Sequence, residues 1–170
     1  MAQPTLNTGW LNPSSNPIND GCTDPFKAYA SDNSRVQVPD GSGYFTLAGF
    51  AITPAVIPPG AVILGIEVSV EMSSNVEGRA VGLFINVSGN AGSSFSTTNA
   101  TARSTSNTDA YKSTGGSSSL WGKSWTPGNF YNDNFQVKVA CDGSYSIETD
   151  SVDHVRVRVY FQPPISGSII

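Results

Sequence analysis

The chain contains a single histidine, His154, and Asp153 precedes it directly. A nucleophilic triad needs a histidine that is oriented by a carboxylate. Adjacent residues of a strand point to opposite faces of a sheet, so these two side chains do not meet if they lie in a strand. We therefore expect no hydrolytic site, and we expect His154 to lie on the surface of a sheet.

Acidic residues gather loosely towards the C-terminal end, where they could act as oxygen ligands of a cation. Calcium loops hold several such ligands within one tight segment. The carboxylates here are scattered, and we expect them in solvated turns, with a calcium site as the weaker alternative: Asp142, Glu148, Asp150 and Asp153. No phosphate-binding glycine loop, zinc-protease motif or Cys-x-x-Cys pair occurs. The sequence thus predicts no metal, no cofactor and no enzymatic activity.

Aromatic residues offer a different chemistry, because a flat ring can stack on a sugar. Trp10, Trp121, Trp125 and Tyr131 are the candidates for such a platform. Tryptophan at the corners of a domain more often fills the core, so packing is the favoured interpretation. The glycan platform, formed by Trp121, Trp125 and Tyr131, is kept as the alternative.

The two cysteines, Cys22 and Cys141, are too few to form a disulfide framework in a chain of 170 residues. Cys141 alternates in phase with Phe135, Val137 and Val139, which predicts that its side chain points into the core. A small buried residue with a free thiol is the favoured interpretation. A Cys22–Cys141 disulfide is the alternative.

The composition indicates an all-β domain as the scaffold for these residues. Only 13% of the residues are charged, 17 are Gly and 11 are Pro, and good helix formers are scarce. The formal net charge of -4 argues against a basic surface for nucleic acid or membrane. No apolar run is long enough to span a bilayer, and residues 1–10 do not resemble an ordinary secretory signal peptide.

Period-two alternation predicts the strands. The clearest segment is 62–72, in which five alternating residues are expected to face the core: Leu64, Ile66, Val68, Val70 and Met72. In the last strand Val155, Val157, Val159 and Phe161 are expected to point inwards, and His154, Arg156, Arg158 and Tyr160 outwards. Other strands are predicted at 34–38, 44–52, 79–87 and 135–141, and within the polar stretch 88–119. A short helix is predicted to begin at Thr126-Pro127.

These elements predict an antiparallel β-sandwich, jelly-roll-like, of about eight strands over residues 34–162. Residues 1–33 are predicted to be an N-terminal arm or loop, because proline at this density does not fit the centre of a sheet. We expect Trp10 and Phe26 to anchor it. Residues 163–170 are predicted to form a C-terminal tail with an apolar tip. Both ends are thus expected to be extended arms.

Four segments, in this order along the chain, resemble virion proteins of tailed bacteriophages. They are Gly9–Pro13, Ile57–Glu71, Gly115–Pro127 with Asn134–Val137, and Ser151–Phe161. The resemblance covers somewhat under half of the chain, and residues 72–110 match poorly. It implies a β-sandwich that is displayed on a phage particle.

From this resemblance we expect a non-enzymatic virion structural protein that is assembled in the host cytoplasm. The favoured function is capsid decoration, in which a cement protein binds the major capsid protein or other virion proteins and adds buried surface between capsomers. The resemblance also implies a homo-oligomer, for which we expect a trimer, and no nucleic-acid or membrane partner. The apolar residues of the arms are the expected partner contacts: Trp10, Leu11, Ile165, Ile169 and Ile170.

The alternative function is a glycan- or receptor-binding module of a phage head or tail fibre. Such a module would use the loops around Trp121 and Trp125. No heptad or short repeat of a fibre stalk is present, which favours decoration. A secreted bacterial carbohydrate-binding domain is a third interpretation, weakened by the absence of a recognisable signal peptide.

Overall fold

A computed structural model describes residues 3–39, 43–74, 77–78, 80–97, 100–142 and 149–165. These residues form ten strands, and eight of them have four or more residues. The strands are β1 Leu6–Asn7, β2 Asn19–Asp20, β3 Val36–Pro39, β4 Tyr44–Leu47, β5 Val62–Ser74, β6 Val81–Ser88, β7 Ala100–Ser104, β8 Ala110–Gly115, β9 Gln136–Cys141 and β10 Thr149–Gln162. Among the described residues, no helix is long and apolar enough to span a membrane.

The strands form two sheets, in which every pairing is antiparallel. The first sheet has the order β1-β10-β5-β8, and β3 also pairs with β10. The second sheet has the order β2-β4-β9-β6-β7. The two sheets pack face to face over one apolar core. The fold is therefore a jelly-roll-like antiparallel β-sandwich, as the sequence predicts.

Alternating aliphatic residues of the two long strands fill one side of the core. Ile66, Val68, Val70 and Met72 of β5 are buried, as predicted, and so are the inward residues of β10: Val155, Val157, Val159 and Phe161. The prediction is wrong at Leu64, which is only half-buried. A β-bulge explains this: Tyr160 pairs with Gly65 and Phe161 with Ile63, so Leu64 has no partner and Ile63 takes the core position.

Residues 3–33 lie along the sandwich instead of extending away from it. Strand β1 pairs with β10, and Leu11 bridges to Val157 of the same strand. The segment then crosses to the second sheet, where Ser15 bridges to Ala48 and β2 pairs with β4. Phe26, in a short 3₁₀ helix at Pro25–Ala28, is 56% exposed, so its predicted role as an anchor is wrong.

The remaining predicted elements are present, with shifted bounds. The polar stretch 88–119 contains the strands β7 and β8, and the strand expected at 44–52 ends at Leu47. The predicted helix start is a 3₁₀ helix at Pro127–Asn129, which follows Thr126 as its N-cap. The turn at 40–42 and residue 79 lie outside the described residues.

The two cysteines do not form a disulfide. Cys22 is buried near the second sheet, and Cys141 is half-buried at the end of β9, packed against the core. The favoured interpretation, a small buried residue with a thiol, is therefore correct for Cys22, whereas Cys141 is a thiol that is only half-buried; the disulfide alternative is wrong.

Candidate functional site

A cavity of about 180 Å³ opens at the end of the second sheet, where β6 ends and β9 begins. Two segments form its walls: the loop that follows β6 and the segment that leads into β9. Its lining residues are Gly89, Asn90, Ser94, Lys123, Ser124, Trp125 and Asn129. We call this the Trp125 cavity. It combines an aromatic ring, two amides, two hydroxyls and one ammonium group.

Trp125 is held in place from two sides. Its indole packs on Phe130, with ring centroids 5.3 Å apart, and on Phe135 at 5.9 Å. Its Nε1 donates a hydrogen bond of 2.8 Å to the carbonyl of Leu120. The indole is half-buried, so part of it remains available to line the cavity. An aromatic ring fixed by packing and by one hydrogen bond is preorganised for stacking.

Asn129 ties the two walls together. Its Oδ1 accepts hydrogen bonds from the backbone N–H of Thr126 at 2.7 Å and from the Thr126 hydroxyl at 2.9 Å, which completes the cap of the 3₁₀ helix. Its Nδ2 donates to the carbonyl of Gly89 at 3.1 Å. Gly89 must be small here, because a Cβ atom at this position would lie 2.7 Å from Cζ3 of Trp125.

The opposite wall is a loop shaped by its own short polar side chains. Oδ1 of Asn90 accepts from the hydroxyl of Ser88 at 2.8 Å and from the backbone N–H of Ser94 at 3.0 Å. Its Nδ2 donates to Oγ of Ser94 at 2.9 Å. An amide NH₂ carries two N–H donors, and these contacts use one of them. Local bonds of this kind fix a loop that has no sheet partner.

Lys123 reaches across the mouth of the cavity. Its Nζ donates to the carbonyl of Ser94 at 3.1 Å and lies 3.5 Å from the Ser94 hydroxyl. Both partners are neutral oxygens. The ammonium is thereby positioned at the cavity, in a protein whose formal net charge is -4.

The structure separates the three residues of the predicted glycan platform. Trp125 lines the cavity, but Trp121 is 2% exposed and its Nε1 donates to the carbonyl of Ile66 at 2.9 Å. Tyr131 is half-buried, packs against the core and donates a short hydrogen bond to the carbonyl of Ile57. Burial raises the pKa of Tyr131. Trp121 and Tyr131 therefore do not share a sugar-facing surface with Trp125.

The predicted partner contacts at the two ends have different surroundings. Trp10 is half-buried on the outer face of the first sheet, where the guanidinium groups of Arg156 and Arg158 lie 4.5 Å and 4.4 Å from its ring centroid. Leu11 is half-buried beside β10. Ile165 is 81% exposed. Ile169 and Ile170 lie outside the described residues.

His154 is buried, with 5% of its surface exposed, so its predicted place on an open sheet surface is wrong. It does point outwards from the sheet, but Tyr111 and the N-terminal segment cover it. The Tyr111 hydroxyl lies 2.8 Å from its Nδ1, and Oδ1 of Asn12 lies 3.1 Å from its Nε2. Burial lowers the pKa of His154, and the charge of Arg156 acts in the same direction.

Three of the four acidic residues, Asp142, Asp150 and Asp153, are not in solvated turns, contrary to expectation. The Asp142 side chain is buried and forms a 2.8 Å ion pair with Arg103, and Asp150 and Asp153 are buried in β10. Asp153 is the extra residue of a second bulge, between Val152 and His154. Glu148 lies outside the described residues. In the part of the chain that the structure describes, no three His, Cys, Asp or Glu residues are grouped so that they could hold a metal ion.

Sequence reasoning missed most of the cavity. Asn90, Ser94, Lys123 and Asn129 lie in polar segments that read as turns, and no period or motif distinguishes them. The sequence feature that could have indicated the site is the helix cap at Thr126 and Pro127, because this cap fixes the segment that carries Trp125.

No family model matches the chain, and no curated protein matches it. Several solved structures resemble the chain. The structure "Truncated AlyQ with CBM32 and alginate lyase domains" is 13% identical, with a TM-score of 0.57; the match covers 98% of this chain and 36% of that one. The CBM22-1 xylan-binding domain of Xyn10C from Paenibacillus barcinonensis is 10% identical, with a TM-score of 0.47 and coverage of 94% and 97%.

The third is the CBM36-1 domain of a multidomain xylanase from the hindgut metagenome of Trinervitermes trinervoides. It is 8% identical, with a TM-score of 0.44 and coverage of 93% and 96%. The chain thus spans about a third of the first structure. The first likeness, at 13% identity, shows the fold alone: a β-sandwich.

Proposed function

We propose that this protein is a non-catalytic glycan-binding module and that the Trp125 cavity receives the sugar. The observation that carries the proposal is the position of Trp125: an indole held by packing on Phe130, with part of its surface lining a cavity whose other walls are amides, hydroxyls and an ammonium group. A sugar ring has apolar C–H faces and a rim of hydroxyls. It is recognised by the same combination of a flat ring and a few fixed polar groups.

The polar groups of the cavity suit hydroxyl ligands because they supply both donors and acceptors. Each of the amides of Asn90 and Asn129 retains one N–H beyond its described contacts. The Ser124 hydroxyl is exposed at the same wall. The two amides are already ordered by bonds within the protein, so binding to them has little ordering cost.

The size of the cavity favours a single sugar unit. Its volume of about 180 Å³ is below the roughly 300 Å³ at which pockets for drug-sized ligands begin. The cavity also lies at the end of a sheet, between two loops, and not along a long groove. We infer that it takes a monosaccharide or the end unit of a glycan chain. The fold is compatible with the proposal, because one structure of the same fold is described as having CBM32 and alginate lyase domains.

A blocking substitution tests the site. Ser124 is exposed and lines the cavity, so Ser124→Tyr fills it without touching the core. Ser118→Tyr makes the same change at an exposed turn that does not line the cavity, and serves as the control. Binding is measured by calorimetry or by saturation-transfer NMR against a panel of neutral and acidic monosaccharides and their oligomers.

We expect the unmodified protein and Ser118→Tyr to bind at least one sugar of the panel, and Ser124→Tyr to lose that binding. Thermal unfolding confirms that each variant is folded. If no sugar binds to the unmodified protein, or if Ser124→Tyr binds as well as the control, the proposal is wrong.

Capsid decoration is the second candidate, and one observation favours it. Ile165 follows the last strand and is 81% exposed, although an aliphatic side chain of this size gains about 1.5 to 3 kcal/mol from burial. Deletion of residues 164–170 tests it. A truncated protein that folds normally but no longer binds phage capsids supports attachment through the tail. Normal capsid binding after the deletion contradicts it.

A further inference from the structure

We propose that the sugar taken by the Trp125 cavity is acidic, with a carboxylate or sulfate group placed against Lys123. This inference rests on the proposed function and adds the class of ligand. Stacking on Trp125 alone would not distinguish a neutral sugar from the corresponding acidic sugar, so a preference between them needs another group.

The charge of the lining is the first argument. Of the seven residues that line the cavity, Lys123 is cationic and the other six are uncharged; none is Asp or Glu. A neutral sugar does not need a cation, and recognition of its hydroxyls is served by amides and hydroxyls. A lysine at the rim of an otherwise uncharged cavity favours an anion.

The state of the Lys123 ammonium is the second argument. Its described contacts are the carbonyl and the hydroxyl of Ser94, at 3.1 Å and 3.5 Å. An ammonium has three N–H donors, so one remains after both contacts. No carboxylate of the described residues lies within 4.0 Å of its Nζ.

Comparison with other lysines shows what is specific to this position. Lys27 forms an ion pair with Asp24, with 3.2 Å between Nζ and Oδ2. Lys138 lies over the ring of Tyr44, with Nζ 3.9 Å from the centroid. Lys123 has neither a carboxylate nor an aromatic ring as a described partner, and it is held at a cavity by neutral oxygens. Its charge is therefore available to a ligand.

The geometry gives a binding mode. Trp125 and Lys123 lie two positions apart in the same segment and line the same cavity, so a sugar in contact with the indole can place one substituent near Nζ. A carboxylate there gains a charge-assisted hydrogen bond, which is stronger than a bond between neutral groups. Carboxylate and sulfate share this chemistry, and the experiment separates them.

The experiment compares matched sugars. Galactose, galacturonate and galactose 6-sulfate, and glucose with glucuronate, are titrated into the unmodified protein, Lys123→Gln, Lys123→Arg and the control Lys27→Gln. Acetate and sulfate ions alone report any binding of a free anion. We expect the acidic sugars to bind about tenfold more tightly than the neutral ones, as a hydrogen bond to a charged group implies.

We expect Lys123→Gln to lower the affinity for acidic sugars about tenfold relative to that for neutral sugars, and so to remove the preference. Lys123→Arg should retain part of the preference, and Lys27→Gln should leave it unchanged. Added salt should reduce the preference. If only the uronates bind more strongly than the neutral sugars, the ligand group is a carboxylate. If only the sulfated sugar binds more strongly, the ligand group is a sulfate.

Equal binding of acidic and neutral sugars overturns this inference and leaves the proposed function intact. A preference that survives in Lys123→Gln also overturns it. If no sugar binds at all, the proposed function itself fails.

Discussion

The hydroxyl of Tyr111 and Nδ1 of His154 lie 2.8 Å apart, although they belong to strands on opposite sides of β5. Glu71 of β5 pairs with both residues, so the hydrogen bond passes over this strand. Asn12 of the N-terminal segment accepts at the other ring nitrogen. An acceptor at Nε2 places the imidazole proton there, which leaves Nδ1 to accept from Tyr111. This arrangement requires a neutral histidine.

Stability is therefore expected to fall as pH drops below neutral. Burial lowers the pKa of His154 in the folded state, with Arg156 acting in the same direction and Glu71 against it. The unfolded chain then binds the proton more readily, so the free energy of unfolding decreases as pH falls through the ordinary histidine value of about 6.5. The free energy of unfolding of the unmodified protein and of the His154→Gln variant is measured by denaturant unfolding from pH 8 to pH 5. Parallel pH curves for the two proteins would contradict the prediction.

Trp121 and Trp125 make a matched pair, because each indole N–H donates to a carbonyl. The bond from Trp121 to Ile66 is buried, and the bond from Trp125 to Leu120 is exposed. Replacement of Trp121 by Phe removes one of the two hydrogen bonds that the buried carbonyl of Ile66 accepts, the other coming from the backbone N–H of Gly116. The loss of one such bond costs about 0.5–1.5 kcal/mol. The carbonyl of Leu120 can turn to water. We expect Trp121→Phe to lower the free energy of unfolding more than Trp125→Phe; equal losses would show that the buried bond adds nothing.

Gly65 is required because the loop after β8 passes directly over it. A Cβ atom at Gly65 would lie 2.2 Å from the carbonyl oxygen of Gly116 and 2.5 Å from the carbonyl carbon of Ser117. Backbone atoms cannot yield as a flexible side chain can, so Gly65→Ala should destabilise by about 1–3 kcal/mol. At Gly128 the corresponding nearest atom is 3.8 Å away. Gly128→Ala is the control in thermal unfolding, and a similar melting temperature for both variants would refute this argument.

Cys22 is expected to react slowly with thiol reagents in the folded protein. Burial, and secondarily the charge of Asp20, raise the pKa of its thiol to about 11. The thiolate is the reactive form, so little of it is present near pH 8. Titration of Cys141→Ser with Ellman's reagent isolates Cys22. The reaction should be slow in buffer and complete after unfolding, and a prompt reaction in buffer would show that the thiol is accessible.

The strands could be predicted because alternation of aliphatic and polar residues is a local pattern. It located β5 and β10 and the inward residues Val155 to Phe161. It failed at Leu64 and Asp153, since a bulge adds a residue that the alternation does not reveal. The burial of His154 was equally hidden, because one of its partners, Asn12, lies 142 positions away.

The candidate site was predictable only in part. Trp125 could be proposed from its residue type, because tryptophan can stack on a sugar. The cap at Thr126 is a local sequence signal for the short helix that follows. The other wall comes from the loop after β6, and Lys123 meets Ser94 across 29 positions. This contact depends on how β6 and β9 pair. The sequence pattern within either segment does not reveal that pairing.

Strand β10, the last of the described strands in chain order, lies in the middle of the first sheet and pairs with β1, β3 and β5. The first of these begins at Leu6, and the backbone N–H of Val159 donates to the hydroxyl of Thr8 across 151 positions. The first strand of the sandwich therefore cannot take its place before β10 is available. This topology has a high contact order, so we expect folding to be slow by the standard of helical domains. Until β10 has paired with β5, that edge of β5 is open to other chains, so aggregation competes with folding at this stage.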